Sequence, residues 1–264
     1  MCTFSVVTVV FNDADRIVET ISSVAEQDID DVQHIIIDGL SSDGTLTLIQ
    51  KFPHLDVISE RDEGIFDAMN KGLARARNDY VIFMNAGDSF FNGSVLREVR
   101  DFIAGCPDRC PAIVYGDTWE FDRRNPDWGE YKKSRRSSMI KYGMVCHHQA
   151  IFYSTHYLTK NNIRYDLSYV KASDYALTSR IIADGATIQQ MPLCVCRYDI
   201  CGVSQTHYSS DMSEPFRIKV DLLKVNSAVA FLIVGIQFMI NALKKHFPGI
   251  YHFLRYHACD WAKK

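Results

Sequence analysis

The 264-residue sequence predicts an α/β protein, a largely parallel sheet with helices between its strands, followed by a helical tail. Three observations predict it. β-Branched apolar runs alternate with segments of helical spacing over the first hundred residues, the pattern of successive βα units. Polar residues stand where those runs end, at Asp38 and at Asn85-Ala86-Gly87-Asp88. From Phe216 onward the chain turns apolar and basic, with eight Lys or Arg against two Asp or Glu, although the whole chain has a net charge of −3.

Phe4–Val10 is a β-branched run, as expected of a strand, and it ends at Phe11-Asn12-Asp13, a helix-start signal. Ile17, Val18, Ile21 and Val24 then recur at helical spacing. His34–Ile37 reads as a second strand ending on Asp38, and Ser41-Ser42-Asp43-Gly44-Thr45 as a turn capping a helix through about Phe52. Leu55–Ser59 is a third strand, Ile65–Ala76 a helix and Tyr80–Met84 a fourth strand. After Gly105 the pattern is mixed, with short strands at Ile113–Tyr115, Ala150–Tyr153, Thr187–Met191 and Cys194–Tyr198 and a helix over Tyr175–Ala183. Lys132 to Lys141 holds five basic residues and no acidic one, a loop that is either a solvated basic face or a contact for an anionic acceptor or membrane surface.

In the tail, Val225–Leu243 is 19 residues without a charge, about 28 Å as a helix, but Asn226, Ser227, Gln237 and Asn241 dilute it. A second helical stretch, mixing aromatic and basic residues, follows Phe247-Pro248-Gly249. Three readings stay open: an interfacial or re-entrant membrane helix, a helix packed on the body, and a true span.

Several classes are disfavoured. The acidic balance argues against a nucleic-acid partner. No G-x-G-x-x-G follows the first strand, and neither a P-loop nor a G-x-S-x-G elbow occurs. Met1 leads almost directly into a strand, so no secretory signal is expected, and the eight cysteines read as buried or incidental thiols in a cytoplasmic chain. What remains is chemistry at the strand ends. Asp38, Asp43 and Asp88 fall on the sheet edge where α/β proteins bind ligands, and a carboxylate there could hold Mg²⁺ or Mn²⁺ against a diphosphate. Taken singly, each is also a common turn or cap residue.

Here the motifs resemble a known family. "SVVTVVFND", "IIIDGLSSDGT", "SERDEGIFDAMNKGLARARNDYVIFMNAGD", "HHQAIFY", "RYDLSYVKASDYALTSR" and "CGVSQ" resemble, in order, family-two inverting glycosyltransferases of the GT-A fold. They are most similar to the bacterial branch that builds colanic acid, capsule and O-antigen units. The resemblance spans residues 3–206. It implies a GT-A, Rossmann-like mixed sheet over 1–215, with a nucleotide-binding half at 1–105 and an acceptor-binding half at 106–215; the amphipathic, apolar helical tail at 216–264 lies beyond it.

By the same resemblance, Thr8, Phe11 and Asp38 line the base pocket, with Asp38 accepting from a uracil N–H. Asp67, Asn70 and Lys71 face the ribose, diphosphate or sugar, although Asp67 and Lys71 also suit a plain i,i+4 pair. Asn85-Ala86-Gly87-Asp88 stands at the metal-binding D-x-D motif, so Asn85 and Gly87 lie against the donor and Asp88 is the one carboxylate left for the metal. Mg²⁺ or Mn²⁺ would then be held largely by the donor diphosphate. Asp174 matches the catalytic base, a position that could equally cap the helix after it. His148 and Gln149 match the donor-sugar or acceptor side, and Ser204 a loop closing over the donor, with Cys201 in place of that loop's first glycine.

The implied protein is a cytoplasmic, membrane-peripheral enzyme transferring a hexosyl or N-acetylhexosaminyl group, most simply from a UDP-sugar. Its acceptor would be a polyprenyl-diphosphate-linked glycan, and the reaction a single displacement with inversion. A sugar nucleotidyltransferase and a non-catalytic membrane-bound partner of a glycan assembly complex are the competing classes. The first lacks a glycine-rich basic loop after the first strand; the second is permitted by the incomplete D-x-D.

Overall fold

The computed structural model describes residues 2–108, 110–201 and 212–247. The chain divides into two compact units, Met1–His207 and Tyr208–Lys264. The first is a nine-stranded sheet in the order β3-β2-β1-β4-β8-β6-β9-β5, with β7 hydrogen-bonded to β6. The strands are β1 Phe4–Val10, β2 Val32–Asp38, β3 Asp56–Ser59, β4 Tyr80–Phe83, β5 Ser89–Phe90, β6 Ile113–Asp122, β7 Asn125–Lys132, β8 Ile151–Ser154 and β9 Ile188–Asp199. β1 to β4 run parallel, β8 is antiparallel to both β4 and β6, and β6 and β9 are parallel.

The helices are α1 Ile17–Ala25, α2 Thr45–Ile49, α3 Ile65–Arg75, α4 Val95–Gly105, α5 Thr155–Lys160 and α6 Ser173–Ala183. All seven residues of β1 are buried because both faces of the sheet are covered. On one face Val10 and Ile36 pack with Ile17, Ile21 and Ile49, and Phe4, Val6 and Ile82 pack with Val24, Val95 and Val99. On the other face α3 comes so close that a Cβ at Gly72 would collide with Val7, so this position accepts only glycine. Tyr165 stacks on Phe66 and meets Phe83 edge-on, which ties the segment before α6 to the same face.

The first half follows the expected order, with α4 and the two-residue β5 in addition. The second half departs further. Thr187–Met191 and Cys194–Tyr198 belong to one strand, β9, which continues past Pro192 with its register slipping opposite Gly116. β6 runs on to Asp122 and pairs first with β8 and then with β7, a polar, exposed hairpin partner that no alternation announces. The described cysteines are all free, and among the described residues no group of three or more His, Cys, Asp or Glu is arranged to hold a metal ion.

In the second unit, α7 Ser213–Arg217 leads through a π turn at Ile218–Leu222 to α8 Ser227–His246. The Asn226 side chain caps α8 by accepting from the Ala228 N–H at 2.9 Å. No helix among the described residues is long and apolar enough to cross a membrane, which removes the spanning reading for α8. α8 does leave Val229, Phe231, Leu232, Ile236, Phe238, Met239 and Ile240 exposed. The aromatic stretch beyond it, and Ser204 with most of its CGVSQ segment, lie outside the described residues.

Candidate active site

The site lies where β1, β2 and β4 end and meet the segment entering β8. β4 passes into the turn Asn85-Ala86-Gly87-Asp88, where Gly87 has φ +93° and a Cβ would come 3.2 Å from Arg16 Cδ. A left-handed residue pressed against an arginine side chain is a place for glycine. Thr20 of α1 fastens this turn: its hydroxyl accepts from the Gly87 N–H at 3.0 Å and donates to the Asp88 carbonyl at 2.7 Å.

Three consecutive side chains then reach three different carboxylates. His147 Nε2 lies 2.7 Å from Glu120 Oε1. His148 Nδ1 lies 3.6 Å from Asp174 Oδ2, and its Nε2 is 3.4 Å from Asn85 Nδ2. Gln149 Nε2 donates to Asp88 Oδ2 at 2.7 Å. The segment His148–Ala150 is a 3₁₀ turn, which fans successive side chains in different directions. Asn85, Gly87, Asp88, His148, Gln149 and Asp174 are thereby brought into one cluster.

Its electrostatics are uneven. Asp88 is buried, its other oxygen accepts the Asp199 N–H at 3.2 Å, and burial pushes its pKa up to about 7 against the relief these bonds bring. Both donors are neutral, and His148 is the one side chain whose charge eases ionisation, too little to offset the burial. Beside it, Asn85 Oδ1 and Gln149 Oε1 are buried with no hydrogen-bond partner among the described residues. A carboxylate short of positive charge, flanked by two unsatisfied amide oxygens, fits a hard divalent cation with ligand oxygens completing its shell. Asp174, in the first turn of α6, keeps 22% of its side chain exposed, which leaves it open to a substrate.

The residues expected around the base are more dispersed. Phe11 is exposed at 64%, beside Gly39 and Asp62, and Leu40 lies nearby in the chain with φ 64°. Asp38 is fully buried: its carboxylate accepts from the Ser41 N–H at 3.2 Å and the Ser59 hydroxyl at 2.6 Å, which organises the loop below Phe11. Thr8 does not reach this edge. Its hydroxyl meets His34 Nε2 at 3.0 Å inside the sheet, where burial lowers the His34 pKa to about 3. Asn70 spends both ends of its amide on the Tyr165 backbone at 2.9 Å, bracing the chain before α6. Lys71 pairs with Glu60 at 3.0 Å and Asp67 at 3.3 Å on the face of α3.

Other residues join the site without having been anticipated: Thr20, Arg16, Glu120, His147 and Asp199. Arg16 is held by Asp13 at 2.7 Å, and Arg123 lies 3.2 Å from Asp199. Only His147, adjacent to His148 in the sequence, carried a signal; Thr20, Glu120 and Asp199 meet their partners across long separations, and Arg16 has a local partner in Asp13 but reaches the Gly87 turn across 71 residues.

Four parallel strands joined to a mixed set, with a carboxylate turn where β4 ends, make the mixed α/β sheet of the GT-A fold. Residues 5–164 match the Glycosyl transferase family 2 description, and the chain belongs to that family. It is 29% identical over 211 residues to a PGL/p-HBAD biosynthesis glycosyltransferase of Mycobacterium bovis BCG, covering 77% of this chain and 79% of that one. It superposes on the S. aureus TarS 1–349 crystal structure in complex with UDP-GlcNAc with a TM-score of 0.67 at 18% identity, covering 92% of this chain and 73% of that one. For the mannosyltransferase PcManGT from Pyrobaculum calidifontis, in complex with GDP-Man and Mn²⁺, the TM-score is 0.59 at 16% identity, covering 99% and 80% of the two chains.

Proposed function

We propose that this glycosyltransferase moves a sugar from a UDP-sugar to a lipid-linked glycan acceptor by single displacement, with inversion at the anomeric carbon. The observation that carries the reading is the arrangement around His148. It contacts the partly open carboxylate Asp174 on one side and the Asn85–Asp88 turn on the other. Asp174 takes the proton of the acceptor hydroxyl as that oxygen attacks the anomeric carbon and the bond to the diphosphate breaks. His148 holds Asp174 in place and keeps it beside the donor side of the site. Asp88, with the free oxygens of Asn85 and Gln149, would hold Mg²⁺ or Mn²⁺, which when bound supplies positive charge to the departing diphosphate.

The exposed ring of Phe11 next to Gly39 offers a stacking platform for the base, with Asp38 setting the loop beneath it. Asp67 and Lys71 present charge toward the donor from α3, and Ser204 belongs to the closing loop. The likeness to TarS in complex with UDP-GlcNAc supports the donor class, and the likeness to the PGL/p-HBAD biosynthesis glycosyltransferase supports a role in biosynthesis of a glycosylated product. The exposed apolar side of α8 supports a location at the inner membrane face, where a lipid-linked acceptor resides.

The test is nucleoside-diphosphate release from a panel of nucleotide-sugars, with a membrane extract as acceptor, in Mn²⁺ or EDTA. Wild type, Asp88→Ala and Asp174→Asn are compared, and the product's anomeric configuration is read by NMR. Release from one UDP-sugar, lost in both variants, with an inverted product, is the expected result. A retained configuration overturns the mechanism; release of inorganic diphosphate when a nucleoside triphosphate and a sugar 1-phosphate are supplied instead identifies a nucleotidyltransferase, and no release in either assay leaves a binding partner.

A further inference from the structure

We propose that the turn Arg136–Tyr142 of the first unit is a docking surface for an anionic lipid bilayer, separate from α8. This deepens the membrane reading given above by naming the surface that makes the contact. From Tyr131 through Tyr165 the chain holds seven Lys or Arg and no Asp or Glu. Two of these cations are already occupied: Lys132 pairs with Glu120, and the Arg135 guanidinium donates to the Met144 carbonyl. Lys133, Arg136 and Lys141 are exposed and make no ion pair among the described residues. Between them Met139 and Tyr142 are each 39% exposed, and Lys141 Nζ lies 5.1 Å above the Tyr142 ring.

The turn is held firmly. It is a 3₁₀ segment, Ser137–Tyr142, closed by the Gly143 N–H donating to the Ile140 carbonyl at 2.9 Å. Ile140 is buried, and its carbonyl also accepts the Tyr175 hydroxyl at 2.8 Å. At its root the Ser134 N–H and hydroxyl bind Asp117 at 2.7 Å, the Tyr115 hydroxyl donates to the Arg135 carbonyl at 2.9 Å, and the Arg135 N–H donates to the Val145 carbonyl at 2.7 Å. A fixed backbone therefore holds a methionine and a tyrosine in water among uncompensated cations. Apolar side chains interleaved with unpaired positive charge complement a surface that is anionic at the headgroups and apolar just below them. The turn also has the right place in the chain. Tyr175, which anchors it, directly follows Asp174, and His147-His148-Gln149 begin five residues after Tyr142.

The test is sedimentation of the full chain with phosphatidylcholine vesicles, with and without phosphatidylglycerol, at low and high salt. Wild type is compared with Lys133→Gln/Arg136→Gln/Lys141→Gln and with Met139→Ser/Tyr142→Ser. Each cation near an anionic surface contributes enough that losing three lowers partition onto the anionic vesicles roughly 100-fold at low salt. The triple variant should bind neutral vesicles as wild type does, and the Met139/Tyr142 variant should bind both kinds less. UDP affinity by calorimetry, unchanged in both variants, shows that they are folded. Equal binding of wild type and triple variant to anionic vesicles overturns the proposal, as does a wild type indifferent to phosphatidylglycerol. So does a wild-type dimer that the same substitutions dissociate, since the turn would then be a protein interface. Vesicle binding needs no sugar transfer: charge-dependent binding without nucleoside-diphosphate release removes the transferase mechanism and leaves the docking surface standing.

Discussion

Glu120 and Asp88 are both largely buried carboxylates, both reached by the His147–Gln149 segment, and their surroundings push them in opposite directions. Burial works to raise the Glu120 pKa, yet His147 and Lys132 bring it down to about 2. Burial raises Asp88 to about 7; its bonds come from an amide and a backbone N–H, His148 favours its ionised form, and Asp199 opposes it. The Glu120 side is an ion pair already complete in the free protein. The Asp88 side is a buried carboxyl with no ion pair, beside two unsatisfied oxygens, and protonation or a bound cation would relieve the cost of its charge. The comparison separates a carboxylate that an ion pair holds charged from one that burial pushes toward its neutral form, a distinction that residue type alone does not carry.

The strongest way to test this division leaves both carboxylates alone and removes the open one between them. Asp174→Asn should lower transfer by about 10²–10⁴-fold, the usual worth of a general base, while leaving UDP affinity within about twofold. Steady-state rates beside calorimetric titration with UDP check it.

Next comes Asp88→Asn, which should abolish transfer and yet stabilise the protein. Asp88 titrates near 7 when folded, against 3.8 as its reference value, so between these pH values the folded state holds more protons. Stability therefore falls as pH rises through this window, and the full penalty stands above pH 7. Replacing the charge, with the Gln149 amide turning to present Oε1, should add about 1–4 kcal/mol at pH 8 and little at pH 4. Urea unfolding in EDTA at the two pH values measures it.

Glu120→Gln should show the reverse. Its pKa is depressed from 4.5 to about 2, so its contribution is present above 4.5 and is lost as pH falls toward 2. Substitution should cost about 1–3 kcal/mol at pH 7, with the loss shrinking in acid. A variant as stable as wild type at pH 7 would mean that the two sides do not differ.

The smallest effect is expected from Thr20→Val, which removes the hydroxyl bridging Gly87 and Asp88. A cost of about 1 kcal/mol should come with a severalfold slower transfer, since the turn loses its fastening. A stability loss with unchanged kcat would confine Thr20 to packing.

The two halves of the catalytic unit were unequally legible. β1 to β4 and α3 were readable because the parallel strands carry short β-branched, apolar runs and the connecting helices keep a 3.6-residue period. β7 was not, because an exposed hairpin needs no apolar face. β9 was divided in two because Pro192 looks like a break, whereas pairing with β6 continues beyond it. At the site, Asp88, His148, Gln149 and Asp174 were recognised through motifs and lie together. Thr8 and Asp38 were expected to face a base, but one turns to His34 and the other is enclosed by Ser41 and Ser59.

What the sequence by itself determined is therefore the family, the order of the parallel units and the short motifs that bring polar residues to strand ends. These are local matters, set by period, turn residues and spacing. What only the tertiary structure decided is which carboxylate is spent and which is free. Asp88 meets Gln149 across 61 residues and the Asp199 backbone across 111, so its burial, its lack of an ion pair and its orphaned neighbours exist only once distant segments are packed together. Electrostatics in a protein depends on distance through space and on exclusion of water, and neither is written along the chain.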